Sequence, residues 1–247
     1  MRILFTNDDG YDSQGLHAVA DLFKNEHEIA VVAPDVQKSG FSHSLTLKPT
    51  SVVYKEISGY DYKVYAVSGT PVDCVKVARN VLFPQPDIVV SGINNGENLG
   101  SDIMYSGTVS AAVDAAHSGL RAVALSFFSR HATAEDFVRC AGIFKRNFDK
   151  IVSLALPPKT VLNINFPVGE PKGIVSTKMN TQETFVDGYV EQQEGILSPS
   201  GHRDYSALDK DTDEGFCLDG YVTITPLSTD RTDYRTLDKI KKERFSL

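Results

Sequence analysis

Across the first two thirds of the chain, short apolar runs of strand length alternate with stretches whose apolar residues recur every three or four positions. That alternation is the pattern of a mostly parallel sheet covered by helices on both faces. Arg2 to Thr6 predicts a buried strand, residues 14 to 24 a helix with Leu16, Val19, Ala20 and Phe23 on one side, and Ile29 to Ala33 the strand that closes a first βαβ unit. Residues 51–57 and 61–67 are two alternating runs around Ser58-Gly59-Tyr60, which predict an inserted β-hairpin. Thr70-Pro71 opens the next helix, because proline suits the first turn, and Val72, Val75, Val77 and Val81 supply its apolar positions.

The spacing then predicts a strand at Asp87 to Ser91, a helix at Val109 to His117, a strand at Arg121 to Ser126, a helix at Ala134 to Phe148 and a strand at Val161 to Asn165. Residues 1–166 are therefore expected to form a doubly wound α/β core. Beyond it the alternation fades over 167–220, which is rich in Gly, Pro, Ser, Thr and charge apart from a β-like stretch at Ile174 to Lys178. Tyr221 to Pro226 reads as a returning strand and Tyr234 to Phe245 as a polar terminal helix. Residues 167–247 are expected to be an elaboration, an arm serving assembly with another subunit.

Composition narrows the class without choosing a function. The 247 residues are 41% hydrophobic and 23% charged, which excludes a disordered, collagenous or disulfide-framework chain. With 25 Lys and Arg against 32 Asp and Glu, the net charge of −7 opposes general binding to nucleic acid polymers or anionic membranes. The apolar runs are too short for a membrane span, and the start lacks a basic segment followed by an apolar one, so the cytoplasm is the expected compartment. Cys74, Cys140 and Cys217 have no CxxC spacing and are expected to be buried, reduced thiols.

The candidate chemistry lies just after the strands, where open α/β sheets bind ligands. There the chain carries Asn7-Asp8-Asp9-Gly10, then Lys38-Ser39-Gly40, then Ser91-Gly92-Ile93-Asn94-Asn95-Gly96. Adjacent carboxylates repel, and a hard cation such as Mg²⁺, Mn²⁺ or Ca²⁺ is the usual reason to hold both ionised. Ser39 and Asn94 are candidate neutral oxygens to complete its shell. Taken alone, Asp8-Asp9-Gly10 also fits an Asx turn or a helix cap. Residues 91–108 are glycine-rich and end in Tyr105-Ser106-Gly107-Thr108 at a helix start, a setting suited to an anion. That segment has neither GxGxxG nor GxxxxGK[ST], so the common dinucleotide and Walker readings fail. Among the six histidines no HExxH pair occurs, and His43 fits a loop-structuring side chain better than a proton shuttle.

At these residues the sequence resembles the SurE family of survival-protein nucleotidases. The resemblance rests on Asn7-Asp8-Asp9-Gly10, Ser39-Gly40 with Ser42 to Leu47, Gly69 to Val75, Pro86 to Asn94, the residues Gly96, Asn98, Gly100 and Asp102, Tyr105 to Val109, and Tyr221 to Leu227. It implies a Rossmann-like three-layer core and a metal-dependent phosphatase of nucleoside 5′- and 3′-monophosphates, with short polyphosphate as a further substrate of some members. By the same resemblance one divalent cation, Mg²⁺ or Mn²⁺, sits on Asp8, Asp9, Ser39 and Asn94 in each subunit. Asp8, Asp9 and Asn98 fall at catalytic positions, and Gly40, Asn98, Ser106, Gly107 and Thr108 at phosphate-binding ones. A homodimer or homotetramer is implied as well.

Three other classes compete. An aspartyl-phosphate phosphatase would carry DxD after its first strand, whereas Asp8 and Asp9 are adjacent. A signalling receiver domain needs an acidic acceptor after the third parallel strand and a Lys near 125, where Ser91-Gly92 and Ser126-Phe127 stand. A nonenzymatic nucleotide-binding module would keep the glycine-rich loop without needing the acids.

Overall fold

The computed structural model describes residues 1–243. In chain order its elements are β1 (Arg2–Thr6), α1 (Gln14–Ala20), β2 (Glu28–Pro34), β3 (Tyr54–Ile57), β4 (Lys63–Val67), α2 (Pro71–Val77), β5 (Ile88–Asn95), α3 (Gly107–His117), β6 (Arg121–Phe127), α4 (Ala134–Ser153) and β7 (Thr160–Phe166). They continue with β8 (Ile174–Ser176), β9 (Phe185–Gln193), β10 (Ile196–Arg203), α5 (Asp213–Leu218), β11 (Val222–Ser228) and α6 (Tyr234–Ile240). The terminal helix expected to reach Phe245 ends at Ile240, and the last positions of that expectation lie outside the described residues.

Nine strands form one sheet in the order β3-β4-β2-β1-β5-β6-β7-β11-β8. The six from β4 to β7 run parallel, while β3 pairs antiparallel with β4 at one edge and β11 antiparallel with β7 near the other. The returning strand and the stretch at 174–176 therefore extend the same sheet. The chain winds outward from β1 through β2 and β4, then reverses to β5 on the other side of β1. The gap between β1 and β5 is thus the switch point, the place where open α/β sheets bind ligands.

Strand alternation divides the core between the two faces of the sheet. Ile3 and Phe5 of β1 pack with Leu16, Val19 and Phe23, and with Phe137, Phe144 and Phe148 of α4. Leu4 points the other way, into Cys74 and Val75 of α2 and Val109, Ala112 and Ala115 of α3. All three cysteines are free and buried. Helix α1 stops at Ala20 and turns carry the chain onward, yet Phe23 remains in the core as its spacing predicted. Helix α2 is capped by a reciprocal Thr70–Asp73 pair and runs into a π-helical turn at Ala78–Leu82, which leaves Val81 exposed.

The span 167–220 holds more regular structure than its composition predicted. β9 and β10 pair antiparallel as a separate two-stranded ribbon, and α5 follows. Both faces of the ribbon are exposed, so inward and outward positions do not differ in polarity, and the alternation that betrays a half-buried strand is missing.

Candidate active site

The turn after β1 is built by Asn7. Its Oδ1 accepts the Gly10 N–H at 3.2 Å, and its Nδ2 donates to the Gly10 carbonyl at 2.9 Å and to Ser13 Oγ at 2.6 Å. The Asx-turn role considered for the acidic pair thus belongs to Asn7, and the residue preceding α1 is Ser13. Asp8 and Asp9 are left to face the site.

Asp8 is buried beneath the N-terminus of α3. The Thr108 hydroxyl donates to its Oδ1, and a Cβ placed on Gly107 would lie 2.8 Å from the Asp8 Cβ, so only glycine allows the helix this close. Burial raises the Asp8 carboxyl to about 6, reinforced by the neighbouring Asp9 and opposed by the Thr108 hydroxyl and nearby backbone N–H groups. Burial also raises Asp9, against the Asn95 N–H and Gln37. Among the described residues neither carboxylate forms an ion pair with a Lys, Arg or His side chain.

Asp9 lies at the centre of a hydrogen-bond chain joining three strand ends. Its Oδ2 accepts the Asn95 N–H at 3.0 Å, and its Oδ1 accepts Gln37 Nε2 at 3.3 Å. Gln37 Nε2 also donates to Ser39 Oγ at 2.9 Å. Asn94 Nδ2 donates to the Gly96 carbonyl at 2.9 Å, which turns its Oδ1 into the amide's available acceptor. The Lys38 N–H donates to the Asp8 carbonyl at 2.7 Å and anchors the loop that carries Ser39 and Gly40. Farther along the same loop, Thr46 donates to Asp73, from its N–H at 3.2 Å and from its hydroxyl at 2.6 Å.

These donors fit a hard cation. Two adjacent carboxylates without an ion-pair partner among the described residues call for a counter-charge when ionised, and Ser39 and Asn94 are the neutral oxygens that would complete a shell. Among the described residues no three His, Cys, Asp or Glu side chains cluster, so any metal here rests on this mixed set and not on a soft-ligand cage.

The expected phosphate-facing residues divide by what they touch. Ser106 caps α3, its Oγ accepting the Val109 N–H at 3.0 Å while its own proton remains to be donated. Gly40 has a φ of +74° and open space on its Cβ side. Asn98 is buried; its Nδ2 donates to Ser126 Oγ at 2.8 Å, which uses one of its two hydrogens. The Thr108 hydroxyl donates to Asp8 Oδ1, so its partner in this structure is the carboxylate. His43 points to Asp114, with 3.9 Å between Nε2 and Oδ1, and Lys76 Nζ approaches the same carboxylate at 2.8 Å.

Several supporting residues escaped the sequence reading. Asn165 Oδ1 accepts the Asn98 N–H at 2.9 Å, while Asn163 and Asn165 donate to the Asn98 carbonyl at 2.8 and 3.0 Å. Two asparagines at i and i+2 in an otherwise apolar strand were the available signal, since buried amides need partners. Gln37 had no such signal, being one polar residue in a polar loop.

An acidic pair at the switch point, facing a helix N-terminus across a glycine-rich loop, defines a phosphate-handling α/β protein. The family model for survival protein SurE matches residues 3–185, and the chain belongs to that family. It is 38% identical over 255 residues to the 5′-nucleotidase SurE of Pelotomaculum thermopropionicum, covering 98% of this chain and 95% of that one. It is 39% identical over 248 residues to the 5′-nucleotidase SurE of Thermoanaerobacter sp. strain X514, covering 96% of each. Its structure is similar to the crystal structure of the SurE protein from Aquifex aeolicus, with a TM-score of 0.86, 34% identity and 98% coverage of both chains.

Proposed function

We propose that this chain is a 5′-nucleotidase, a phosphoric monoester hydrolase that releases inorganic phosphate from nucleoside 5′-monophosphates. It acts on 3′-monophosphates and short polyphosphate as well, and its activity depends on one divalent cation per subunit, Mg²⁺ or Mn²⁺, held by Asp8, Asp9, Ser39 and Asn94. The observation that carries this reading is the acidic pair after β1: Asp8 is buried against the N-terminus of α3, Asp9 is half-buried beside Asn95 and Gln37, and among the described residues neither forms an ion pair with a basic side chain. The shared name of the relatives supports the substrate class.

When bound, the cation supplies positive charge and Lewis acidity at the reacting phosphate. The remaining work falls to the chain. The Gly107 N–H at the start of α3, the Ser106 hydroxyl, the free Nδ2 hydrogen of Asn98 and the Gly40 backbone are the donors for the phosphate oxygens. Thr108 orients Asp8 through Oδ1. Because that carboxylate is held by Thr108 and buttressed by Gly107, water is assigned as the nucleophile and Asp8 as an acceptor. Labelled substrate should therefore trap no phospho-enzyme.

The β9–β10 ribbon leaves Tyr189 and Leu197 70% and 60% exposed, together with Val186, Val190 and Ile196. A second copy of the chain is proposed to cover them, giving a homodimer or homotetramer built on residues 167–247, with residues 1–166 as the catalytic core. Among the described residues no helix is long and apolar enough to cross a membrane. We assign the activity to the cytoplasm, a reducing compartment with which the free thiols of Cys74, Cys140 and Cys217 are compatible.

The deciding experiment is a phosphate-release screen over nucleoside monophosphates and polyphosphate with Mg²⁺, Mn²⁺ or chelator, beside Asp9→Asn. Release that persists in chelator or in the variant overturns the metal assignment.

A further inference from the structure

Residues 97–105, which include Asn98, lie between β5 and α3. Their outer side is held by residues about a hundred positions later in the chain. The Arg203 guanidinium, at the base of the β9–β10 ribbon, bonds Asp102 and reaches Glu97 Oε1 at 3.3 Å. Its other arm donates to Thr184 Oγ1 at 3.2 Å and lies 3.5 Å from Glu214 Oε1. The guanidinium also sits over the ring of Phe185, its cross-strand partner, 5.5 Å from the centroid.

Behind this cluster stands a wall of buried carboxylates on α5. Asp213 Oδ2 accepts the Gly100 N–H at 3.1 Å, and its Oδ1 accepts the Asn180 N–H at 2.7 Å. Glu214 accepts from Asn180 Nδ2 and from the Thr184 hydroxyl, both at 2.8 Å. Gly100 adopts a φ of +51°, and a Cβ there would meet Asn180 at 3.3 Å, so the loop and this wall are fitted closely. Among the described residues Arg203 is the one cation paired with Glu97, Asp102 and Glu214, and its planar fork lets it hold several acceptors at fixed angles.

We infer that Arg203 is a positioning residue for the phosphate-facing loop, and that through it the seating of the β9–β10 ribbon governs the placement of Asn98. The loop's two outer anchors, Arg203 on Asp102 and Asp213 on Gly100, come from the ribbon base and from α5. Asn98 itself is gripped from the sheet side by Asn163 and Asn165. Losing Arg203 leaves three acidic side chains uncompensated around the loop, which pushes Asp102 and Glu97 away from Glu214 and draws the loop off its sheet contacts. The catalytic consequence rests on the nucleotidase reading above, whereas the positional claim does not.

The test compares wild type with Arg203→Ala, Arg203→Lys and the double variant Glu97→Gln/Asp102→Asn, which keeps Arg203 paired with Glu214 if Arg203→Ala does not fold. Hydrogen–deuterium exchange should rise in peptides covering 97–105 in Arg203→Ala and in the double variant, while β1 and β5 peptides remain protected. With AMP and Mn²⁺, kcat should fall about tenfold or more, as expected when a positioned group is displaced. Mn²⁺ affinity should hold, and Arg203→Lys should restore part of the loss by returning the charge without the fork. Unchanged loop exchange in variants that fold overturns the positional claim whatever the activity. Altered exchange with unchanged kcat and KM overturns the catalytic consequence. A wild type that releases no phosphate from any nucleoside monophosphate overturns the nucleotidase reading alone, and the exchange data still decide the positioning.

Discussion

Gly107 and Asp8 are in contact in a way that no larger residue at 107 permits: an added Cβ would stand 2.8 Å from the Asp8 Cβ and 2.9 Å from its Oδ2. The N-terminus of α3 and the acidic turn after β1 are therefore one fitted unit, although they lie far apart in the sequence. Gly107→Ala should displace the carboxylate and lower kcat about a hundredfold, the scale expected for a misplacement near 1 Å. Steady-state phosphate release at saturating Mn²⁺ measures it, and near wild-type turnover would contradict the fit.

Asp8 also carries a pH signature. Its folded-state pKa near 6 exceeds the ordinary carboxylate value, so the folded chain holds this proton more tightly than the unfolded one. The resulting stability is present at acid pH and is lost as pH rises through about 6, amounting to about 3 kcal/mol for a shift of about two units. Asp8→Asn removes that loss. In chelator, its stability relative to wild type should grow by up to about 3 kcal/mol between pH 4 and pH 7, read from urea unfolding, while its phosphate release disappears. A pH-independent difference would show that Asp8 ionises normally.

A cation that fills the site must displace the Asp8 proton, so its apparent affinity should weaken below about pH 6. At pH 7.5 a cation at a hundred times its Kd should stabilise the fold by about 2.7 kcal/mol. Thermal melts with Mg²⁺ or Mn²⁺ should show the rise in wild type and lose it in Asp9→Asn. An equal rise in both proteins would place the cation elsewhere.

Asn165 makes two hydrogen bonds with the Asn98 backbone, accepting from its N–H and donating to its carbonyl. Asn165→Ala orphans a buried N–H and should cost about 1–3 kcal/mol, with kcat falling as Asn98 loosens. Chemical denaturation paired with kinetics checks both. A stability loss without any change in kcat would assign the pair to the fold alone.

The exposed ribbon side chains predict assembly. Tyr189→Lys/Leu197→Lys replaces two large side chains that are 70% and 60% exposed, so it should lower the mass measured by light scattering without lowering the melting temperature of the core. An unchanged mass would move the subunit contact off the ribbon.

Local pattern made the sheet core legible. Strands β1, β2, β5, β6 and β7 and helix α4 were read from periodicity, because each buries a face whose spacing is written in its own residues. The ribbon β9–β10 was not, since a strand exposed on both faces leaves no such trace. Asp8, Asp9, Ser39 and Asn94 stood out because they follow strands and combine acids with neutral oxygens, a local chemical signal. The Thr108–Asp8 bond was not legible, because a place at a helix start says nothing of a carboxylate a hundred residues earlier.

By itself, then, the sequence determined the layered α/β architecture, the strand ends where chemistry would collect, and the family to which they belong. Only the tertiary structure decided which side chains are committed to one another. Thr108 bonds Asp8, Asn163 and Asn165 hold Asn98, and Arg203 and Asp213 hold the far side of the same loop. The physical reason is that burial preferences are local and repeat along the chain, whereas a hydrogen bond between distant residues exists only once the sheet order has brought them within 3 Å or so.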